Sequence, residues 1–208
     1  MKIDSIIFDL DGTLWDSTYV SAKIWTMISG KYPEVTDTIT ADKLKSLFGR
    51  PLNEIGIALF QSVSKEKAIE IIDDCCKSQG EIIAKEGGIL YEGLEEVLAE
   101  LSKKVKLFIV SNCEDGYIES FFCAHGLEKY FVDYECPGRT GKLKADNIRY
   151  IIERNHLEHP IYVGDTLGDA TAAKEAGVPF VFASYGFGEV SEYDQKITKL
   201  KDLIAFLE

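Results

Sequence analysis

The chain has 208 residues and a net charge of -12 at pH 7, and 46% of its residues are hydrophobic. This length suits one large domain or one domain with a smaller insert, and the acidic balance argues against a nucleic-acid-binding surface. No stretch approaches the roughly 20 apolar residues of a membrane span, and no signal peptide precedes the first predicted strand. The 5 cysteines contain no Cys-x-x-Cys pair, which disfavours a zinc site or a disulfide framework and predicts reduced thiols in a cytoplasmic protein.

The first predicted strand ends in two carboxylates. The apolar run at residues 5–8 stops at the sequence Asp-Leu-Asp-Gly-Thr, residues 9–13. Because residues two apart on a strand share a face, we expect Asp9 and Asp11 to point to the same side, and Gly12 permits a sharp turn after them. Two acids at the end of a buried strand are costly unless a cation compensates them, and hard oxygen ligands suit Mg²⁺. A solvated Asp-Gly turn is the alternative interpretation of this segment in isolation.

The next segment, residues 16–88, carries little strand signal. Amphipathic helices are predicted at residues 22–28, 41–48 and 65–84. Thr40 and Ser64 are the predicted N-caps of two of them, and Pro51 is predicted in the first turn of a further helix. We therefore expect a helical insert between the first strand and the rest of the sheet, placed as a lid above the two carboxylates.

After residue 90, predicted strands alternate with predicted helices. Buried strands are predicted at residues 106–110, 131–134, 160–163 and 179–182. Helical spacing of apolar residues predicts helices at residues 94–101, 148–152, 170–176 and 200–207. Gly177 is a predicted helix stop. This alternation predicts an α/β domain with a parallel sheet, and ligands of such sheets bind at the carboxyl ends of the strands.

Two polar segments follow strands in the middle of the chain. Ser111 and Asn112 come directly after a predicted strand, where a hydroxyl and loop amides suit phosphate oxygens, although this pair is also ordinary turn chemistry. A glycine-containing loop at residues 138–141 then delivers Lys142 and Lys144 to the start of a helix. An ammonium there would neutralise a phosphoryl group and an adjacent carboxylate, whereas two solvated surface lysines are the alternative.

Two further acids, Asp165 and Asp169, follow the predicted strand at residues 160–163. Asp169 opens a predicted helix, so an N-cap role partly explains it. Asp165 has no such structural explanation, and its natural role is that of a metal ligand facing Asp9 and Asp11. Paired acids that recur after two strands favour metal-assisted chemistry on a phosphate-like group over two unrelated turns.

In their order along the chain, these four segments resemble the four motifs of the haloacid dehalogenase superfamily of phosphohydrolases. The resemblance spans residues 6–177. Its most specific parts are Asp-Leu-Asp-Gly-Thr-Leu at residues 9–14 and Gly-Asp-Thr-Leu-Gly-Asp at residues 164–169. The helical insert and Leu-Trp-Asp-Ser at residues 14–17 are similar to the branch that contains phosphoglycolate phosphatase and β-phosphoglucomutase.

The resemblance implies an α/β fold with a Rossmann-like parallel-sheet core and an inserted α-helical cap domain. The core would comprise residues 1–15 and 89–208, and the cap residues 16–88. In this family the cap usually sets specificity, and the sequence around Arg50 is similar to the cap loop that reaches the active site. Arg50 would then contact a second anionic group of the substrate, and an exposed arginine on a connecting loop is the alternative.

The resemblance also implies roles for the acids. Asp9 would attack phosphorus and form an aspartyl-phosphate, and Asp11 would protonate the leaving oxygen and then take a proton from water. Mg²⁺ would be held by the Asp9 carboxylate, the Asp11 backbone carbonyl and the Asp165 carboxylate. Asp169 would lie behind these ligands or reach the metal through water. Mn²⁺ accepts the same ligands, so the metal preference stays open.

The phosphoryl oxygens would be bound by Ser111, the Asn112 amide and one lysine. Many relatives carry Lys-Pro-x-Pro at the lysine segment, which has no proline in this chain. Other members place the lysine at the start of a helix, with an aliphatic residue four positions later. Lys144 and Ile148 match that spacing, so Lys144 rather than Lys142 is the predicted phosphate-binding lysine.

The predicted function is a Mg²⁺-dependent phosphatase, monomeric or homodimeric, whose partner is a small-molecule phosphate ester such as phosphoglycolate or a sugar phosphate. A mutase of the β-phosphoglucomutase kind would share every core residue, so only the cap or the product separates the two. A non-catalytic binding module is disfavoured, because a binder needs no nucleophile beside an acid. A dehalogenase is disfavoured because that branch lacks the second acid, here Asp11.

Overall fold

Residues 3–207, which the computed structural model describes, form a six-stranded parallel sheet and a two-stranded antiparallel ribbon surrounded by helices. In chain order the strands are β1 (Ser5–Phe8), β2 (Trp15–Asp16), β3 (Ile89–Leu90), β4 (Lys106–Val110), β5 (Asp133–Glu135), β6 (Pro160–Gly164), β7 (Phe180–Ala183) and β8 (Gln195–Ile197). The sheet has the order β5-β4-β1-β6-β7-β8, so β1 lies between β4 and β6. The predicted α/β fold with a parallel sheet is therefore confirmed.

The helices cover both faces of this sheet. They are α1 (Thr18–Ser29), α2 (Ala41–Lys45), α3 (Leu52–Leu59), α4 (Lys65–Glu86), α5 (Leu94–Leu101), α6 (Tyr117–His125), α7 (Pro137–Thr140), α8 (Lys144–Asn155) and α9 (Leu167–Ala176), with 3₁₀-helices at Glu128–Tyr130 and Leu200–Leu207. Along β1, Ile6 and Phe8 join one hydrophobic cluster and Ile7 joins the other. Strands buried on both faces explain why their sequences are continuous apolar runs.

The register of the central strands aligns their carboxyl ends. Phe8 of β1 pairs with Ile109 of β4 and with Val163 of β6. Residues that follow these three strands therefore meet at one edge of the sheet, as in other open α/β sheets. That edge is where the predicted site residues that follow these strands converge.

One predicted strand boundary and one predicted helix type were wrong. The strand predicted at residues 131–134 begins at Asp133, because Phe131 follows a 3₁₀ turn and packs its ring 5.5 Å from Phe122 and 6.4 Å from Phe8. The helix predicted at residues 200–207 is present but has 3₁₀ geometry. In addition, β8 was not predicted, since this short edge strand is mostly exposed and has no apolar run.

The predicted helical insert is confirmed as α1 to α4, which lie between β2 and β3. These two short strands pair antiparallel, with Trp15 opposite Leu90 and Asp16 opposite Ile89. The chain therefore leaves the sheet and returns to it at adjacent points. The exact division into a core and a cap at residues 16 and 88 stays a prediction.

The helix starts of the insert follow the predicted capping chemistry. The Thr40 hydroxyl accepts a hydrogen bond from the backbone N–H of Lys43, and the Ser64 hydroxyl accepts one from Lys67, each at 3.2 Å. Pro51 lies one residue earlier than predicted, as the residue that precedes α3 rather than in its first turn. Among residues 3–207, no helix has the length and apolar character needed to cross a membrane.

Candidate active site

The turn after β1 brings its two acids to the edge of the sheet. Asp9 continues the strand ladder, since its N–H donates to the carbonyl of Val163 at 2.8 Å, and its side chain is only 2% exposed. Gly12 then takes a positive φ of 86°, and a Cβ there would lie 2.2 Å from an Asp165 carboxylate oxygen. Glycine is therefore required at position 12, because any larger side chain would block the close approach of the two site loops.

Three buried carboxylates form one cluster at this edge. Asp9, Asp165 and Asp169 each place an oxygen within 4.8 Å of the others. The buried Lys144 ammonium donates to Asp9 Oδ1 and to Asp169 Oδ1, each at 2.6 Å. Three acids thus share one cation. Oxygen donors with excess negative charge are the set that hard divalent cations prefer, so these residues fit a Mg²⁺ ion.

The pKa values of the cluster reflect this shortage of positive charge. Burial and the Asp169 carboxylate raise the pKa of Asp9 to about 7, against the opposing effect of Lys144. Burial, helped by Asp169 and Asp9, raises the pKa of Asp165 well above its ordinary value. Burial alone would lower the pKa of Lys144, but the two acids that it contacts hold it well above the usual range. A second cation would favour the ionised forms of Asp9 and Asp165.

The Asp11 side chain occupies a different environment. Its Oδ1 accepts hydrogen bonds from Ser17 Oγ at 2.5 Å and from Tyr117 Oη at 3.0 Å, outside the carboxylate cluster. Burial raises the pKa of Asp11 to about 6, and the two hydroxyls counteract this by stabilising the ionised form. A carboxyl group that titrates near neutral pH suits general acid–base chemistry. The predicted metal contact of Asp11 is its backbone carbonyl, and it stays a prediction.

The two lysines near the start of α8 lie in different environments. Lys144 is the first residue of α8 and is 5% exposed, inside the carboxylate cluster. Lys142 is exposed, with its ammonium 5.4 Å from the Tyr150 ring centre. The structure therefore brings Lys144, and not Lys142, to Asp9.

The expectation that Asp169 opens its helix was wrong. The N-cap is Thr166, and Asp169 is the third residue of α9. The two side chains form a capping box, in which Asp169 Oδ2 accepts from the Thr166 N–H at 3.0 Å. Its other oxygen receives Lys144, so Asp169 fixes the helix start and orients the lysine at the same time.

Comparison with known proteins identifies the family. A model of the haloacid dehalogenase-like hydrolase family matches residues 6–183. The chain belongs to this family. It is also 30% identical over 202 residues to a phosphoglycolate phosphatase of Vibrio vulnificus, covering 89% of this chain and 86% of that protein. A phosphoglycolate phosphatase of Vibrio cholerae is 27% identical over 201 residues, with the same coverage of 89% and 86%. The predicted family and phosphatase class are thereby confirmed, and this hydrolase is a phosphatase.

Solved structures agree with the fold of this phosphatase. A haloacid dehalogenase-like family protein of Streptococcus pneumoniae superposes with a TM-score of 0.82 at 23% identity, over 99% of both chains. A predicted phosphoglycolate phosphatase of Haemophilus somnus gives a TM-score of 0.86 at 18% identity, over 100% of this chain and 99% of that one. At these identities the likeness concerns the fold alone.

The phosphatase has a cavity between its helical insert and its sheet. It is lined by Asp9, Asp11, Ser111 and Asn112 on one side. The Asn112 side chain spans the boundary, since its Nδ2 donates to the carbonyl of Gly49 at 2.9 Å. Ser111 is 3% exposed and lines the same cavity. The structure thus brings both predicted phosphate-binding residues to the acids.

Arg50 lies elsewhere. It is exposed, its guanidinium is 3.4 Å from the carbonyl of Ser46, and it lines an outer cleft rather than the cavity. Its predicted contact with an anionic group of the substrate stays a prediction.

Sequence analysis missed three contacts of the site. Ser17 and Tyr117 hold Asp11, and the backbone N–H of Phe187 donates to Asp165 Oδ2 at 2.7 Å. Tyr117 lies on α6 and has no local signal that links it to a turn 106 residues earlier. The glycines on either side of Phe187 were a usable signal, because a Cβ at Gly186 would lie 2.3 Å from the Cβ of Asp165.

Proposed function

We propose that this phosphatase hydrolyses small phosphomonoesters with Mg²⁺, through an aspartyl-phosphate formed on Asp9. The observation that carries the proposal is the pairing of a buried, lysine-bound Asp9 with a second acid, Asp11, at the floor of one cavity. The relatives named phosphoglycolate phosphatase support a small phosphate ester, phosphoglycolate or a sugar phosphate among them, as the substrate. We also propose a reduced, cytoplasmic setting, which five free cysteines support.

In the first step, a carboxylate oxygen of Asp9 attacks phosphorus and the bond from phosphorus to the leaving oxygen breaks. Asp11 in its protonated form transfers its proton to that oxygen, so that a neutral alcohol leaves. Lys144, the Ser111 hydroxyl and the Asn112 amide bind the phosphoryl oxygens. Their role is positional and electrostatic, because the charge of such a transition state is dispersed over these oxygens.

In the second step, Asp11 is the base. Its carboxylate takes a proton from a water molecule, whose oxygen attacks the phosphorus of the aspartyl-phosphate. The bond between phosphorus and Asp9 breaks, which releases phosphate and restores both acids. Ser17 and Tyr117 keep the Asp11 carboxylate oriented toward the cavity during both proton transfers.

The carboxylates of Asp9 and Asp165 and the backbone carbonyl of Asp11 would hold Mg²⁺, with Asp169 behind them. The fit rests on three buried acids that share a single lysine. When bound, the cation would supply the positive charge that keeps the nucleophile ionised and that offsets the charge of the phosphoryl group. Lys144, which contacts Asp9 and Asp169, supplies the remainder.

Phosphate release with Mg²⁺ tests the proposal. Acetyl phosphate and a panel of small phosphomonoesters are offered to the wild-type protein, to Asp9→Asn and to Asp146→Asn, a partly exposed acid of α8 that pairs with Arg149. We expect release that is lost in Asp9→Asn, retained in Asp146→Asn and abolished by EDTA. Release that persists in folded Asp9→Asn would refute the nucleophile, and isomerised ester without free phosphate would refute hydrolysis.

A further inference from the structure

The cavity that receives the leaving group is enclosed by the helical insert. If Asp9 attacks and Asp11 protonates, the leaving oxygen must lie beside Asp11, inside the cavity that both acids line. Opposite them, the insert contributes mainly apolar side chains, among them Trp25, Leu52 and Ile55. The body of the leaving group therefore contacts these side chains.

The ionisable groups of this cavity are unusual for a site that would bind a second anion. Its acidic side chains are Asp9, Asp11 and Glu114, and of the residues between 3 and 207 that line it, none is Lys, Arg or His. Lys45 and Arg50 line the outer cleft instead. Lys144 also lines that cleft, and its ammonium already contacts Asp9 and Asp169. A carboxylate or a second phosphate on the leaving group would thus be buried beside acids without a lining cation of its own, which is strongly unfavourable.

The thiols of the cavity do not change this balance. Burial raises the pKa of Cys76 and of Cys113 well above the ordinary thiol value, so both are neutral at physiological pH. The acids therefore remain the lining groups that can carry charge near neutral pH.

Gln79 provides the one oriented neutral donor of the insert that we identify in this cavity. This residue of α4 is 4% exposed and lines the cavity, and the indole N–H of Trp25 donates to its Oε1 at 2.7 Å. An indole N–H is a donor only, so the atom that faces it must be the amide oxygen. The orientation of Gln79 is thereby fixed, and its NH₂ group is turned away from Trp25. Among residues 3–207 this NH₂ group forms no hydrogen bond that we find, and it does not belong to the fully buried unpaired polar atoms, so it keeps accessible surface on a residue that lines the cavity.

We infer that the Trp25–Gln79 pair selects phosphomonoesters whose leaving group is uncharged and presents a hydroxyl or carbonyl oxygen to the Gln79 NH₂ group. The inference rests on the proposed function and narrows its substrate class to monophosphates of neutral, oxygen-bearing alcohols. Esters with a carboxylate or a second phosphate, phosphoglycolate included, are disfavoured. An analogue that lacks the oxygen would cover the Gln79 NH₂ group without offering it an acceptor, so the site rejects that analogue.

Two matched pairs of esters test this selection. In 2-hydroxyethyl phosphate against 2-phosphoglycolate, and in glycerol 1-phosphate against 3-phosphoglycerate, a CH₂OH group replaces a carboxylate at similar size. We expect wild-type kcat/KM to favour the neutral member of each pair by about tenfold or more. Acetyl phosphate, whose leaving group is small, reports separately on the phosphatase chemistry.

The most informative variant replaces Gln79 with a cationic side chain. Gln79→Lys is expected to lower the neutral-to-anionic ratio by about tenfold in both pairs, because the ammonium supplies the missing counter-ion. Gln61→Lys, at an exposed glutamine of the same insert, carries the same charge change and is expected to keep the wild-type ratio. Gln79→Met removes the donor at similar size, and it is expected to lower the preference for 2-hydroxyethyl phosphate over ethyl phosphate several-fold.

The outcomes separate this inference from the proposed function. If the wild-type protein does not hydrolyse acetyl phosphate, the proposed function is overturned. Hydrolysis of acetyl phosphate together with equal or greater kcat/KM for the anionic esters would overturn the selection alone. A ratio that is unchanged in folded Gln79→Lys, or that responds to Arg50→Ala instead, would also overturn the assignment to Gln79.

Discussion

At the scale of single residues, Lys144 is the side chain on which the charge balance of the site depends. It contacts two of the three clustered acids and is almost fully buried. Lys144→Ala should reduce kcat/KM by at least about 10²-fold, because Asp9 and the phosphoryl group both lose their nearest cation. Lys142→Ala, two residues away at an exposed position, should stay within about twofold of wild type, since the Lys142 ammonium lies over the Tyr150 ring. Steady-state kinetics and thermal unfolding of both variants make the comparison, and the reverse order of effects would contradict it.

Tyr117 controls the proton affinity of Asp11. Its hydroxyl, 3.0 Å from Asp11 Oδ1, stabilises the ionised carboxylate, and burial has already raised the pKa of Asp11 to about 6. Tyr117→Phe removes that stabilisation, so the pKa of Asp11 should rise further. Carboxyl-selective NMR titration measures it directly. Tyr19→Phe, on a side chain that is 77% exposed, serves as the control. A pKa that is unchanged or lower in Tyr117→Phe would show that the hydroxyl does not act on the carboxylate.

At the scale of elements, the site is built by turns that press against each other. Gly12 has a φ of 86° and no room for a Cβ, which would lie 2.2 Å from Asp165. Gly126 has a φ of 67° and nothing within 4 Å of its Cβ position. Gly126→Ala should therefore cost only the backbone penalty of about 1–2 kcal/mol. Gly12→Ala should lose clearly more stability, together with most of the activity. Chemical denaturation measures both variants, and equal losses would mean that the turn tolerates a side chain.

The same elements show what sequence can predict. Asp9 and Asp165 were predictable because parallel strands are apolar runs whose carboxyl ends share an edge. The start of α9 was mispredicted because an acid at the third helical position looks like an N-cap, whereas Thr166 is the cap. The contact of Asp11 with Tyr117 joins residues 106 positions apart. Neither spacing nor propensity encodes such a contact, which is formed by the packing of α6.

At the scale of the whole molecule, the helical insert and the sheet form the cavity together. Asn112 bonds Gly49 at 2.9 Å, and Lys45 pairs with Asp16 at 2.9 Å. Ser120 on α6 also donates to the carbonyl of Gly80 on α4 at 3.3 Å. Separation of these contacts would widen the cavity, so we expect opening of the insert to be coupled to substrate binding.

The buried acids also link global stability to pH. The pKa values of Asp9 and Asp11 are raised to about 7 and about 6, above the value of about 4 expected in the unfolded chain. Between about pH 4 and 7 the folded protein therefore binds more protons than the unfolded chain, and its free energy of unfolding falls as pH rises. Acids with a lowered pKa, such as Asp37 and Asp202, lose their contribution only as pH falls through their own lower range.

In EDTA, the melting temperature should therefore be lower at pH 8 than at pH 5, and Mg²⁺ should raise it more at pH 8. Each pKa unit corresponds to about 1.4 kcal/mol, so the combined effect is on the order of a few kcal/mol. Asp165→Asn is the matched variant, because it removes one clustered acid and a proposed ligand. In EDTA, the melting temperature of Asp165→Asn should change less with pH, and Mg²⁺ should raise it less than in the wild-type protein. Comparing the two proteins cancels groups outside the cluster, such as His125, whose burial lowers its pKa. Parallel pH curves for both, measured by circular dichroism, would show that the clustered acids do not limit stability.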